Sequence, residues 1–236
     1  MSVDDHRDIQ NLLLATLSPE DMQLLRPLLD AVTLKQKDVL FEPLQPIEHV
    51  YFFESGLSSE IAINAGSKQI EVGCVGREGF SGAPVVLGVD TTPHRSFMEA
   101  GGVALKIRSD DLQRVMDVSR PLRQLLLRYA HVFMIQIAST ALADGRYNVE
   151  QRLARWLLMC NDRIGNELPL THEFLALMLG VRRPSVTDAL HILEGQRLIK
   201  AERSLISIRD RKGLEALAGE AYGLPEAEYR RLISEI

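Results

Sequence analysis

The stretch "FLALMLGVRRPSVTDAL", residues 174–190, constrains the fold of this chain more than any other feature. An apolar helical pattern ends at Gly180, and a second one begins behind Arg183 and Pro184. Glycine suits the left-handed turn that ends a helix, and proline is tolerated in a first helical turn because the amides there have no intrahelical partner. Two helices joined by such a short turn predict a helix-turn-helix motif.

The residues around this turn suit a DNA-reading function. In a helix-turn-helix, the N-terminal residues of the second helix meet base edges in the major groove, where arginine can pair with guanine. The following segment "GQRLIKAERSLISIRD" predicts two strands around a turn, which would form a wing. The predicted DNA contacts are Thr171, Arg182, Arg183, Pro184, Ser185, Thr187, Asp188, His191 and Arg203. The alternatives are an ordinary helical hairpin with solvated arginines and, for Arg203, a plain exposed turn.

The charge of the chain is unevenly distributed. The formal net charge is −5, which argues against a protein that coats nucleic acid non-specifically. Between Thr171 and Lys212, however, eight basic side chains stand against five acidic ones. A local basic surface on an acidic protein favours a specific partner at that surface.

Residues 32–108 have a different pattern, with short runs such as "VYFFESG" and "KQIEVGCVG" separated by Gly, Asn and Pro. In "GGVALKIRSD", Val103, Leu105 and Ile107 are predicted to face one way and Ala104 the other. Regular short strands with turn signals predict an antiparallel sandwich or barrel. Before them, residues 9–29 predict one or two short amphipathic helices.

A long apolar helix is predicted after this β-rich region. Ser119 can cap it, Pro121 lies just inside, and Gly145 is expected to follow its end. Because the helix is apolar nearly all round, it must be covered on two sides. The β-domain can cover one side, and a second copy of the same helix would cover the other. A helix buried within a single chain is the open alternative.

The predicted fold class is α+β: an N-terminal antiparallel β-roll of jelly-roll type, a long central dimerisation helix and a C-terminal winged helix-turn-helix. The predicted domains are 1–118 for the β-roll, 119–146 for the central helix, 147–219 for the DNA-binding domain and 220–236 for a tail helix.

Several classes of protein are disfavoured by the sequence. The start "MSVDDHRD" lacks the features of a signal peptide, and the apolar stretch "VFMIQIASTALA" is too short to span a bilayer, so we expect a cytoplasmic protein. Cys74 and Cys160 are expected to be core thiols, with a redox role for Cys74 as the alternative. No phosphate-binding glycine loop, HExxH motif or nucleophile elbow occurs, so no enzyme is predicted.

The β-rich domain, the long apolar helix and "LTHEFLALMLGVRRPSVTDALHILEGQRLI" resemble the Crp/Fnr family of bacterial transcription regulators, from about residue 12 to 219. The resemblance implies a homodimer joined through the central helix. It further implies binding to double-stranded DNA at an inverted-repeat operator and an effect on RNA polymerase. The alternative function is an effector-binding regulatory subunit whose helix-turn-helix mediates protein contacts.

The resemblance also implies an effector pocket, at Gly79, Phe80, Gly82, Arg95 and Ser96. Family members that bind cyclic nucleotides have a glutamate for the ribose where this chain has Phe80. A phenyl ring cannot accept a hydrogen bond from a hydroxyl group. The sequence therefore indicates no particular cofactor for this pocket, and it disfavours a cyclic nucleotide. In the second helix of the motif, Arg183 matches the family's guanine-reading arginine, whereas Pro184 replaces the glutamate that usually follows.

Overall fold

The computed structural model describes residues 9–64, 66 and 68–234. The stretch 1–8, for which we predict no signal peptide, lies outside the described residues, as do residues 65 and 67 and the last two residues, 235–236, of the predicted tail helix. The helices are α1 (Pro19–Leu25), α2 (Ala83–Val86), α3 (Ser109–Val118), α4 (Arg120–Arg146), α5 (Val149–Ile164), α6 (His172–Leu179), α7 (Arg183–Gly195), α8 (Arg211–Ala218) and α9 (Leu224–Tyr229).

The strands are β1 (Asp30–Leu34), β2 (Val39–Phe41), β3 (His49–Phe53), β4 (Leu57–Ile63), β5 (Gln69–Val75), β6 (Phe80–Ser81), β7 (Arg95–Ala100), β8 (Gly102–Arg108), β9 (Glu167–Leu168), β10 (Ile199–Glu202) and β11 (Leu205–Ile208). Two four-stranded antiparallel sheets, in the orders β1-β8-β3-β6 and β2-β7-β4-β5, form the N-terminal β-roll. The predicted α+β fold class and its antiparallel sandwich are thus confirmed.

Burial extends to the second face of strand β8 at one position. Ala104, predicted to face away from Leu105 and Ile107, is completely buried and joins the same buried cluster. Further along that second face, Lys106 is half-buried and Arg108 is exposed, so the face is covered only in part.

The central helix α4 begins as predicted and ends later. The Ser119 hydroxyl accepts a hydrogen bond from the Leu122 amide at 3.1 Å. Gly145, expected to follow the helix, lies inside it. The chain turns only where Asn148 caps α5, in a reciprocal pair of hydrogen bonds with Gln151. The Asn148 cap at the start of α5 therefore determines where the chain turns between α4 and α5.

The two ends of α4 have different neighbours. Leu122, Leu126 and Tyr129 lie in the β-roll core. Further along, the Arg155 guanidinium donates to the Thr140 hydroxyl at 3.0 Å and so joins α4 to α5. The tail helix α9 packs on α4 as well. The tail therefore covers part of the side for which only a second copy of the helix was expected.

Helix α4 is long and apolar enough to cross a membrane by length and composition, with a mean hydropathy of 1.4 over 18 residues. The apolar stretch judged too short for a span thus belongs to a 27-residue helix. Of that 18-residue window, 39% is buried inside the structure. The packing of α4 on the β-roll, α5 and α9 accounts for the buried part of its apolar surface, and the rest of that surface stays exposed in a single copy.

Candidate nucleic-acid interface and effector pocket

The helix-turn-helix forms at the predicted residues. The Thr171 hydroxyl accepts from the Phe174 amide at 3.1 Å and caps α6, and Gly180 ends it with a φ of 59°. An added Cβ on Gly180 would lie 2.9 Å from Ile70 Cδ1, so the turn also packs closely against β5. Pro184 lies in the first turn of α7. The residues that hold the two helices together are apolar and buried: Leu175, Met178, Leu179, Val186, Ala189, Leu190 and Leu193.

A wing follows α7, as predicted. Strands β10 and β11 pair in the register Ile199↔Ile208 to Glu202↔Leu205, which leaves Arg203 and Ser204 at the tip. Strand β9 adds a third strand beside β11. Sequence patterns missed β9 because two residues are too few to show a period. The Glu194 carboxylate accepts from the Ala201 amide at 3.1 Å and so ties the wing to α7.

The predicted DNA contacts fall into three groups by position. Four of them line one groove of about 500 Å³ between α6, α7 and the wing: Thr171, Arg183, His191 and Arg203. Three lie exposed beside the start of α7 or along it: Arg182, Pro184 and Asp188. Ser185 and Thr187 are half-buried. The Thr187 hydroxyl already bonds to His172 Nδ1 at 3.1 Å, which makes it the least available of the nine.

The groove also contains side chains that the sequence patterns did not indicate. Glu173, Glu194 and Glu202 line it together with His172. Glu194 could have been found from the sequence, because it lies eleven residues after Arg183 and therefore on the same face of α7. The carboxylates limit the positive potential of the groove. Charge attraction alone would therefore bind a phosphate backbone weakly there.

The expected effector pocket is filled by the protein's own side chains. Phe80 is buried, with its ring centroid 5.4 Å from that of Phe52 and 4.8 Å from that of Tyr129 on α4. An added Cβ on Gly79 would lie 1.9 Å from the Tyr129 ring, so this glycine allows a close approach of the helix. Gly82, with a φ of 106°, starts the short helix α2. Packing of the core therefore accounts for both glycines.

Arg95 and Ser96 point to opposite sides of β7, as neighbours in a strand do. Ser96 lies inside the roll, where its hydroxyl is 2.9 Å from that of Ser81. Arg95 instead pairs with Glu42 at 3.2 Å on the outer side. The structure therefore does not bring the expected phosphate-binding pair to one site.

A carboxylate occupies the polar centre of the roll. The Ser81 hydroxyl donates to Glu60 Oε1 at 2.8 Å. Burial raises the pKa of the Glu60 carboxyl to about 7, although hydrogen bonding to Ser81 and Ser96 lowers it. Glu60 had no signal in the sequence, because only the pairing of β4 with β7 brings it to Ser96. In its ionised form this carboxylate would repel an anionic phosphate, which disfavours a nucleotide at this position above about pH 7.

The cysteine thiols and possible metal ligands have no feature of a reactive site. Cys74 and Cys160 are both buried, and burial raises the pKa of the Cys74 thiol to about 12. That environment favours an unreactive thiol. Among the described residues, His, Cys, Asp and Glu form no group of three or more that could hold a metal ion.

Comparisons with known proteins agree with this architecture. Residues 151–217 match the family model of the Crp-like helix-turn-helix domain. FixK2 from Bradyrhizobium japonicum aligns with a TM-score of 0.68 and 14% identity, over 81% of this chain and 98% of that one. The c-di-GMP responsive global regulator CLP from Xanthomonas campestris aligns with a TM-score of 0.64 and 17% identity, over 81% of this chain and 99% of that one.

A CRP/FNR-family transcriptional regulator from Thermus thermophilus aligns with a TM-score of 0.66 and 21% identity, over 82% of this chain and all of that one. No curated protein sequence matches the chain. Both of these solved structures are described as regulators. The resemblance is confirmed: the chain has the fold of the Crp/Fnr transcription regulators, and its residues 151–217 form a Crp-like helix-turn-helix domain.

Proposed function

We propose that this protein is a cytoplasmic, DNA-binding transcription regulator of the Crp/Fnr type, which acts as a homodimer on an inverted-repeat operator and affects RNA polymerase. The observation that carries the proposal is the exposed start of α7. Arg182 and Arg183 stand there free of ion pairs among the described residues, beside a wing. Bidentate contact of an arginine with guanine discriminates by roughly 1–3 kcal/mol.

The exposed face of α4 supports the homodimer. Its exposed or half-exposed positions recur at alternating intervals of four and three residues, the spacing of a coiled-coil seam: Leu127, His131, Met134, Ala138, Ala141 and Gly145. Leu127 is 39% exposed and Met134 52%, which leaves large apolar side chains in water in a single copy. The three small residues at the end of the stripe would let two helices approach closely.

The filled roll supports DNA binding without a cyclic nucleotide. Phe80 packs in the place of a ribose ligand, and Glu60 bonds to the hydroxyl group of Ser81. We therefore expect the purified protein to bind its operator with no added nucleotide.

The test is a selection of bound duplexes from a random DNA pool, with purified protein and no ligand. We expect an inverted repeat whose half-site centres lie roughly 34–36 Å apart, one helical turn. If the pool yields no preferred sequence while a labelled cellular protein binds through α7, the regulatory-subunit alternative is the correct function.

Single variants separate recognition of the bases from general charge attraction to the DNA backbone. Arg183→Ala is expected to relax one base position in each half-site, because it removes a base contact. Arg203→Ala is expected to weaken binding to all DNA sequences about equally. It should also lower the slope of the logarithm of the binding constant against the logarithm of the salt concentration by about 1. Arg114→Ala on α3 removes the same charge far from the motif, with its side chain 73% exposed, and is the control. Unchanged discrimination by the Arg183 variant would show that another residue reads the base.

A further inference from the structure

A cavity of about 250 Å³ lies outside the β-roll core, where the tail meets α4 and the DNA-binding domain. It is separate from the filled effector pocket, although Tyr129 contacts both: this ring lines the cavity and packs against Phe80. The cavity is slightly smaller than the usual size range of small-molecule sites, about 300–1,000 Å³.

The apolar part of the cavity lining comes from the central helix, the N-terminal segment and the tail. Val132 and Phe133 of α4 form one wall with Tyr129. Leu12 and the tail residues Pro225 and Tyr229 line it as well. These walls come from parts of the chain that are far apart in sequence, so only the folded tail encloses the space. Such a surface favours a ligand with an apolar, ring-like body.

The charges of the lining compensate one another. The Arg163 guanidinium pairs with Glu78 at 2.8 Å. Arg211 pairs with Asp162 at 2.8 Å. Arg230 and Glu226 add one charge of each sign. A charged ligand would have to give up its hydration without gaining a free partner, which is unfavourable in a partly buried site.

We propose that this cavity is a binding site for a compact, uncharged aromatic molecule. Its walls join the turn before β6 through Glu78, the central helix, α5 through Arg163, and α8 through Arg211. A ligand there would stabilise this arrangement of the β-roll, the tail and the DNA-binding domain. Any effect on operator affinity rests on the proposed function, whereas binding itself does not.

The experiment measures binding of indole to the full chain without DNA, by ligand-observed NMR titration up to millimolar concentration. Indole-3-acetate and tryptamine keep the ring and add a negative or a positive charge. We expect saturable one-to-one binding of indole and at least about tenfold weaker binding of both charged analogues. Absence of saturable indole binding, or equal affinity for a charged analogue, would overturn the proposal.

Two variants locate the site. Leu12→Trp is expected to weaken indole binding about tenfold or more by filling the mouth of the cavity. Leu24→Trp is the matched control, because Leu12 and Leu24 are both 42% exposed and Leu24 is not part of the lining. Equal binding by the two variants would place indole elsewhere and contradict the assignment.

Discussion

At the residue scale, Phe80 and Glu60 together decide what the β-roll can bind. The Phe80 ring contacts aromatic rings from β3 and from α4. Glu60 accepts a hydrogen bond from the Ser81 hydroxyl inside the roll. Restoring the glutamate of nucleotide-binding relatives at position 80 would therefore not restore a nucleotide site.

We predict that Phe80→Glu lowers the free energy of unfolding by about 3 kcal/mol or more, since it removes a core ring and buries a carboxyl group. Thermal unfolding measures this loss, and calorimetric titration with cyclic AMP should detect no binding. Phe80→Leu, which keeps an apolar side chain, is the control and should lower the free energy of unfolding by less. Tight cyclic AMP binding by the glutamate variant would contradict our account of the roll.

Three buried carboxyl groups of β4, β5 and β7 make stability depend on pH. Burial raises the pKa of Glu60 to about 7 and that of Glu99 to about 8, from an ordinary value of 4.5. Burial, together with the nearby Glu99, also raises the pKa of Glu71 well above that value. The folded state therefore holds protons that the unfolded chain releases.

A raised pKa gives stability that is fully present below pH 4.5 and is lost as the pH rises through the folded-state value. We predict that the contribution of these groups to the free energy of unfolding declines between about pH 4.5 and 8. Glu99→Gln, which cannot ionise, should flatten the decline in urea titrations at several pH values. The exposed Glu20→Gln should keep the wild-type profile. An unchanged slope in the Glu99 variant would contradict the assignment.

At the element scale, the turn between α6 and α7 combines two constraints at one glycine. Gly180 has a φ of 59°, and an added Cβ would approach Ile70 to 2.9 Å. The turn therefore needs glycine both for its backbone conformation and for its packing against β5. By contrast, Gly195, near the end of α7, has nothing within 4 Å of an added Cβ.

We predict that Gly180→Ala lowers the free energy of unfolding by about 1–2 kcal/mol, because alanine is strained in the left-handed region. Gly195→Ala should be neutral or stabilising by up to about 1 kcal/mol, because alanine favours helix. Urea unfolding of both variants measures the difference. A Gly180 variant as stable as the wild type would show that the turn relaxes without cost.

At the scale of the whole molecule, a single copy leaves one stripe of α4 without cover. The tail helix α9 packs on α4, but Met134 stays 52% exposed. A second copy of the helix would bury this stripe on both partners.

We predict that Met134→Glu shifts the protein to monomers and weakens operator binding at least about tenfold, because like charges would face each other across the two-fold axis. Analytical ultracentrifugation measures the first effect and DNA titration the second. Leu87→Glu is the control, since Leu87 is 53% exposed and lies off this helix. A Met134 variant that stays dimeric would place the interface on another face.

The sequence by itself determined the elements whose signals are local. Thr171, Gly180 and Pro184 mark the ends of the two helices because caps, left-handed turns and first-turn prolines act within a few residues. The wing and the sheets of the roll were predictable from alternation and turn residues for the same reason. These local signals sufficed for the fold class and for the helix-turn-helix.

Only the tertiary structure decided which of these residues share a site. It put Ser96 inside the roll and Arg95 outside it, brought Glu60 to Ser81, and laid the tail over α4. Each of these outcomes depends on strand register or on contacts between segments far apart in the chain, which no local pattern contains. The filled roll and the cavity beside it therefore follow from packing, whereas the helix-turn-helix follows from sequence.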